Sequence, residues 1–337
     1  MKFLVVGPGA MGCLFAARLK KAGHDVTLFD HIEKRAALIN KRGIKVEGIL
    51  GEYSVHVPTV TGEISDFPDV AAMCVKANET RKASKDIESI IGPKSCVLTL
   101  QNGLGNMEVL QEIFGKERTL GGVTAEGATL LGDGYVRHAG QGDTKFGSDV
   151  PIGDILQKIV SAFNDAGFKT ESTDSVSSLI WGKLIVNVGI NALAAITRLK
   201  NGHLPDVGGT MAIMEEAVRE AVAVANAKGI DLPYPDPLGR VVEVCRATAG
   251  NIASMLQDVL KQSLTEVAFI NGAIVREGES LGIPTPVNHT LTCLVQAIQD
   301  TYEERVGDHS CDRFTENLLN LEAVSKQSIL KLPFIFS

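Results

Sequence analysis

Basic clusters, closely spaced cysteines, unbroken membrane-length apolar runs, internal repeats and low-complexity tracts are all missing from this sequence of 337 residues. Its 33 Lys and Arg against 40 Asp and Glu leave a net charge of −7 with no basic patch, which argues against nucleic acid and against an anionic membrane surface as partners. The six cysteines (13, 74, 96, 245, 293 and 311) are scattered with no C-x-x-C pair. Several lie in apolar stretches, so they read as buried free thiols, and a reducing cytoplasmic location is the expectation. The seven histidines (24, 31, 56, 138, 203, 289 and 309) show no metal-ligand spacing, and no Ser, His, Asp order suggests a hydrolase. No metal is expected. The first residues run straight into a strand-like segment without a basic region or cleavage site, so no signal peptide is expected. The quite apolar stretch around Leu184 is interrupted by asparagines and does not read as a membrane span.

What is present is an ordinary globular composition, 45% apolar and 22% charged, in a chain longer than one core usually serves, so two domains are expected. The organising stretch is MKFLVVGPGAMGCLFAARLKKAGHDVTLFD. The apolar run Phe3 to Val6 leads into Gly7, Pro8, Gly9, Ala10, Met11 and Gly12. Apolar residues then recur at helical spacing (Met11, Leu14, Phe15, Leu19, Ala22) until Gly23, and a second run, Val26 to Phe29, ends at Asp30. Strand, G-x-G-x-x-G, helix, strand, acid is the order of a dinucleotide-binding unit, with the pyrophosphate on the helix N-terminus.

Further along, a short helix stops at Gly43, and Ile44 to Glu47 and then Tyr53, Val55 and Val57 alternate as strands. The runs Val70 to Val75 and Cys96 to Leu100 read as parallel strands buried on both faces. Helices are expected near 79–91, 108–114 and 152–166, and the glycine-rich run Leu120 to Ala128 contains Gly127. Tyr135 to His138 and Thr144 to Gly147 read as antiparallel edge strands, and Phe168 to Ser172 as the last strand of an open, mostly parallel sheet. From Ser175 only helical patterns follow, over 175–199, 209–228, 238–248 and 254–281, with one more after 287. The fold expected is α/β, a Rossmann-type doubly wound sheet over residues 1–173 followed by an all-helical domain over 174–337 that closes a substrate cleft.

Strand ends deliver Lys76 and Asn102 to the same sheet edge as the glycine loop. Lys76 is either a solvated strand terminus or the partner of a phosphate or carboxylate. Lys183, Asn187 and Asn191 recur every fourth residue on one face of a helix apolar nearly all round. They form either a polar seam between helices or the wall of the cleft, where a desolvated lysine would serve as a general acid. Ser254-Met255-Leu256-Gln257 fits a capping box. Glu266, some three turns on in the same expected helix, is either exposed or paired inside.

Taken in order, Gly7 to Gly12, Val75-Lys76, Gln101-Asn102-Gly103, Trp181-Gly182-Lys183-Leu184, Asn187, Asn191, Asn201-Gly202, Ser254 to Asp258 and Thr265-Glu266 resemble the ketopantoate reductase (2-dehydropantoate 2-reductase) family, of 6-phosphogluconate-dehydrogenase-like fold. The resemblance runs essentially end to end. It implies reduction of the 2-keto group of ketopantoate to D-pantoate, on the route to pantothenate and coenzyme A. It implies that Lys183 and Glu266 are catalytic and that Asn102, Lys183, Asn187, Asn191, Asn201 and Ser254 bind substrate. The implied cofactor set is Gly7 to Gly12, Asp30, His31, Lys76, Asn102, Gly127 and Glu266. Members that use NADPH carry an arginine after the second strand, where this chain has Asp30-His31, a pair suited to a ribose 2′-hydroxyl. The resemblance keeps NADP(H) ahead of NAD(H), with Lys76, His31, Lys34 and Arg35 offsetting the carboxylate. The other readings carried forward are a related 2-keto or 3-hydroxy acid dehydrogenase and a catalytically silent dinucleotide sensor. A homodimer is compatible with the sequence, which does not fix the oligomeric state.

Overall fold

A computed structural model describes residues 1–305. The N-terminal elements are β1 (Lys2–Val6), α1 (Ala10–Lys21), β2 (Asp25–Phe29), α2 (Glu33–Arg42), β3 (Ile44–Gly48), β4 (Tyr53–Val55), β5 (Thr59–Val60), β6 (Val70–Met73), α3 (Thr80–Ile87), β7 (Cys96–Thr99), α4 (Asn106–Phe114), β8 (Thr119–Thr124), β9 (Gly127–Gly132), β10 (Tyr135–Gly140), β11 (Thr144–Gly147), α5 (Ile155–Asp165) and β12 (Thr170–Ser172). Eight of the strands form one sheet in the order β12-β11-β8-β7-β6-β1-β2-β5. All its pairings are parallel except β8 with β11. Strands β1, β6 and β7 are wholly apolar or nearly so because both faces of the sheet are covered. Phe3, Phe15, Phe146, Phe163 and Phe168 fill one side, and Val6, Met73, Val97, Leu110 and Phe114 the other.

The register is what makes a site. Val6 stands opposite both Phe29 and Met73, and Met73 opposite Thr99. The carboxyl ends of four strands therefore finish level, and the residues that follow them (Gly7, Asp30, Lys76 and Asn102) emerge along a single rim.

One expectation for this half is corrected. Tyr135 to His138 is no edge of the main sheet: β10 lies inside a second sheet of order β4-β3-β10-β9, parallel to β3 and antiparallel to β9. The run Leu120 to Ala128 is divided between the two sheets, with Ala125 and Glu126 as the joint between β8 and β9. The small sheet packs over α1, so the helix that follows the glycine loop is covered from both sides.

The helical half consists of α6 (Val176–Thr197), α7 (Gly208–Ala227), α8 (Pro237–Ala247), α9 (Ser254–Leu260), α10 (Asn271–Leu281) and α11 (Pro286–Asp300). α6 is its axis, packed by α7, α8, α9 and α11. By length and composition α6 is apolar enough to cross a membrane, with mean hydropathy 1.7, but 67% of that window is buried inside the protein. Its neighbours, rather than lipid, account for the all-round apolar pattern.

The single helix expected over 254–281 is two. After Leu260 the chain turns at Gln262, whose φ of 53° is left-handed, and Ser263 N closes the turn on Asp258 O at 2.9 Å. A 3-10 turn, Val267–Phe269, precedes α10. Glu266 is thus carried back toward the sheet rim instead of lying along a helix. Ser254 is also not a cap: Ala253 occupies that position, and Ser254 is the first helical residue, exposed. Residues 306–337, including Cys311, His309 and the end of the expected helical domain, lie outside the described residues. Among the described cysteines Cys13, Cys96 and Cys245 are buried, as expected, whereas Cys293 is exposed.

Candidate active site

The glycine loop forms a cradle that only glycine permits. A Cβ on Gly12 would lie 1.9 Å from Gly7 O, and Gly7 itself takes a φ of 101° against Val75. α1 is thereby drawn tight beneath the end of β1, and Gly7 N is tied to Phe29 O at 2.9 Å. Gly9 caps α1 with no side-chain hydrogen bond, so the first helical N–H groups face the rim with the positive end of the helix dipole, past Pro8, Ala10 and Met11. The site suits a pyrophosphate.

At the next strand end Asp30 is buried and bound in a fork by Arg35, Nε to Oδ2 and Nη2 to Oδ1, both at 2.6 Å. Ile32 N donates to the same Oδ1 at 3.1 Å, and the half-exposed His31 ring stands 3.8 Å away. The carboxylate is thus largely neutralised by a guanidinium from the first turn of α2. Lys76 follows β6 and is exposed, its ammonium 2.5 Å from Asp258 Oδ2 on α9. Burial raises the Asp258 carboxyl and Lys76 opposes that rise.

Beyond Lys76 the two halves meet. Glu266 Oε1 accepts from Ala77 N at 3.1 Å, and Oε2 lies 3.5 Å from Asn102 Nδ2. Gly103, at φ 85°, lets its loop press against the 3-10 turn: a Cβ there would be 2.3 Å from Phe269 O, which accepts from Leu104 N at 2.9 Å. Lys183, on α6 and partly buried, reaches the end of β8 and donates from Nζ to Thr124 O at 2.8 Å. Burial pulls its ammonium down to about 8, and the Glu266 carboxylate partly opposes the fall. Lys183 and Asn102 therefore have Glu266 as a common neighbour, with Gly127 three residues beyond Thr124 at the start of β9.

Asn187 and Asn191 follow Lys183 at successive turns of the same helix face, Asn191 being 5% exposed. Asn201 opens a 3-10 turn after α6; its Nδ2 donates to Thr248 Oγ1 at 2.9 Å, while its Oδ1 is buried with no partner. Such an orphan acceptor suits a donor supplied by a ligand. Of the anticipated residues, Ser254 stands furthest from the paired groups in chemistry, offering only an exposed hydroxyl and the start of a seven-residue helix.

Sequence reasoning missed two partners. Asp258, four residues after Ser254, carried no role, although a carboxylate inside an apolar helical run is a recognisable signal. Thr124 acts through a main-chain carbonyl, for which no residue type gives a signal.

A Rossmann-type sheet with a nucleotide cradle, joined at its ligand rim to a helical domain bearing a desolvated lysine, defines a two-domain dinucleotide-dependent oxidoreductase architecture. Comparison with known proteins narrows the class. The family described as Ketopantoate reductase PanE/ApbA matches residues 3–150, and its C-terminal counterpart matches residues 175–299. A 2-dehydropantoate 2-reductase of Pyrococcus horikoshii is 35% identical over 302 residues, 88% of this chain and 97% of the relative. A solved PanE/ApbA family ketopantoate reductase from Ralstonia eutropha superposes with a TM-score of 0.82 at 31% identity, over 90% of this chain and 100% of that one. A D-mandelate dehydrogenase solved with NADH and anilino(oxo)acetate gives 0.83 at 29% identity, over 89% and 99%. The chain belongs to the ketopantoate reductase family.

Proposed function

We propose that this protein is a 2-dehydropantoate 2-reductase, reducing the 2-keto group of ketopantoate to give D-pantoate for pantothenate and coenzyme A synthesis. The observation that carries the reading is the Lys183 ammonium, held on Thr124 O at the end of β8 with the Glu266 carboxylate as its charge partner, and lowered to about 8 by burial. An amine so tuned stays mostly charged at neutral pH yet gives up a proton far more readily than a free lysine. The reduced nicotinamide, when bound, supplies the hydride.

This chain's residues do the rest. Thr124 O and the charge of Glu266 hold the ammonium in place, and the Nζ–H bond breaks as its proton passes to the alkoxide oxygen formed on the substrate. Asn102, tied to Glu266, stands between the rim and α6 to orient both ligands. Asn187, Asn191, Asn201 and the Ser254 turn bind the keto acid, and Glu266 reads its terminal hydroxyl or the nicotinamide ribose. Residues 1–173 hold the dinucleotide and 174–337 close over the substrate, in the cytoplasm.

The cofactor proposed is NADP(H). Asp30 has both oxygens on Arg35, so it is a poor free acceptor for a ribose 2′-hydroxyl, while the exposed Lys76 and the remaining N–H donors of Arg35, with the His31 ring beside them, are the groups near the ends of β2 and β6 for a 2′-phosphate. A second reading is favoured by the D-mandelate dehydrogenase neighbour, which was solved with NADH: the same cleft would then take another 2-oxo acid. The deciding experiment follows oxidation of NADPH and of NADH with ketopantoate, 2-ketoisovalerate and phenylglyoxylate in parallel. Preference for ketopantoate by 10² or more, roughly, is expected if a buried group reads its hydroxyl. Equal rates with 2-ketoisovalerate overturn the substrate assignment, and a large preference for NADH overturns the cofactor assignment.

A further inference from the structure

A buried ionic cluster outside the cleft is left unexplained by the reaction. Arg18 on α1, Glu126 at the β8–β9 joint and His138 on β10 are 7%, 8% and 2% exposed. His138 Nε2 lies 2.6 Å from Glu126 Oε2, and Arg18 Nη1 lies 3.9 Å from the same oxygen. Arg18 is held further by Nε donating to Ala166 O at 2.9 Å and by stacking 4.1 Å over the Phe168 ring. Tyr53 on β4 also faces Arg18. Replacing such a group by apolar residues generally costs a protein little, so its presence here asks for a reason beyond stability.

The reason lies two residues away. Glu126 N donates to Thr124 Oγ1 at 3.2 Å, and that hydroxyl shares a 2.8 Å hydrogen bond with Thr144 on β11. The carbonyl of the same Thr124 holds the Lys183 ammonium. Glu126 is hydrogen-bonded to His138 on β10 of the small sheet and faces the Arg18 guanidinium of α1, the helix of the nucleotide cradle, at ion-pair distance without a hydrogen bond. It thereby fixes where β8 ends and which way the Thr124 carbonyl points. We infer that Glu126, bonded to His138 and paired in charge with Arg18, is a positioning residue for the reaction: it sets the main-chain acceptor that orients Lys183.

The inference rests on Lys183 being the proton donor, and the experiment separates the two claims. Glu126→Gln keeps the shape of the side chain and its reach to His138 but removes the charge. Arg18→Met/Glu126→Gln removes both charges, so that no buried charge is left unpaired. His138→Gln keeps the Arg18–Glu126 pair and loosens the hold on Glu126. Lys183→Ala is the control. For each, kcat and KM for ketopantoate are measured across pH, with the Kd for NADPH by fluorescence and folding by circular dichroism. A misplaced Thr124 carbonyl no longer stabilises the ammonium, so Lys183 loses its proton at lower pH. The expected result is a tenfold or greater fall in kcat, with the alkaline limb of the kcat profile moved to lower pH and NADPH binding kept within about twofold. His138→Gln should show the same signature more weakly.

Folded variants with wild-type kcat and an unmoved alkaline limb overturn the inference, as does loss of folded protein in all three, which would make the cluster a folding element alone. A fall in kcat that merely tracks the folded fraction has the same meaning. If Lys183→Ala retains full turnover, it is the proton-donor reading that fails. An inactive Lys183→Ala beside an unaffected Glu126→Gln removes only the positioning role.

Discussion

Replacing Lys183 by alanine tests the proposed chemistry most directly, and its consequences follow from the burial of the ammonium. At an ordinary value of 10.5 lysine is a poor acid near neutrality; burial brings this one to about 8. At pH 7 it is then about nine-tenths protonated, and the reaction rate falls only as pH climbs through about 8 and the acid form is lost. Lys183→Ala removes both the proton and the charge that steadies the developing alkoxide, so kcat should drop 10² or more, about 2.7 kcal/mol or more of barrier. Cofactor binding should survive, because the glycine cradle and α1 do not contact this side chain. A companion variant, Lys183→Met, carries the opposite sign for stability. The unfolded chain holds this proton up to about 10.5 and the folded one only to about 8, so folding is weakened at neutral pH and that weakness disappears as pH rises through this window. Lys183→Met should therefore raise Tm at pH 7 by about 2–6 °C, corresponding to about 1–2 kcal/mol once the lost Thr124 bond and partial solvent access are discounted, with no gain above pH 10.5. The assay is nicotinamide absorbance at saturating ketopantoate, from pH 6 to 10, beside calorimetry. Undiminished turnover in Lys183→Ala, or a wild-type profile with no alkaline limb near 8, would refute the reasoning.

Three further outcomes are expected. Glu266→Gln removes the carboxylate that holds the Lys183 value up, so the alkaline limb of kcat should move to lower pH; a limb displaced upward would contradict the geometry. Arg35→Ala strips the guanidinium from Asp30 and uncovers the carboxylate, so kcat/KM for NADPH should fall tenfold or more, roughly, while that for NADH holds or improves; equal losses with both cofactors would sink the proposed preference. Gly103→Ala places a Cβ 2.3 Å from Phe269 O at a left-handed φ, and should cost about 1–3 kcal/mol of stability with a disproportionate loss of kcat, as the halves are pushed apart; a variant with unchanged melting and turnover would show that the approach is not required.

The cradle was legible because its signal is local: apolar run, three spaced glycines and a helical period all lie within one continuous stretch. The seam of Lys183, Asn187 and Asn191 was legible for the same reason, one helical period. The break after Leu260 was not. Leu256, Val259, Leu260, Leu264 and Val267 continue the apolar pattern across it, and what turns the chain at Gln262 is the pull of tertiary contacts from Glu266 to Ala77 and Asn102, far away in sequence. The small sheet escaped notice likewise, since β3 pairs with β10, some ninety residues on, and alternation reveals a strand without naming its neighbour. Thr124 was beyond reach altogether, because every residue has a carbonyl.

Four contacts of the cleft (Lys183 to Thr124, Glu266 to Ala77, Lys76 to Asp258 and Leu104 to Phe269) each have one end in the sheet half and one in the helical half. The proposed working centre is therefore a seam property, owned by neither lobe. A fragment ending after β12 would keep the pyrophosphate cradle yet lack any acid to complete a turnover. Drift in the angle between lobes would register as lost catalysis long before either lobe began to melt.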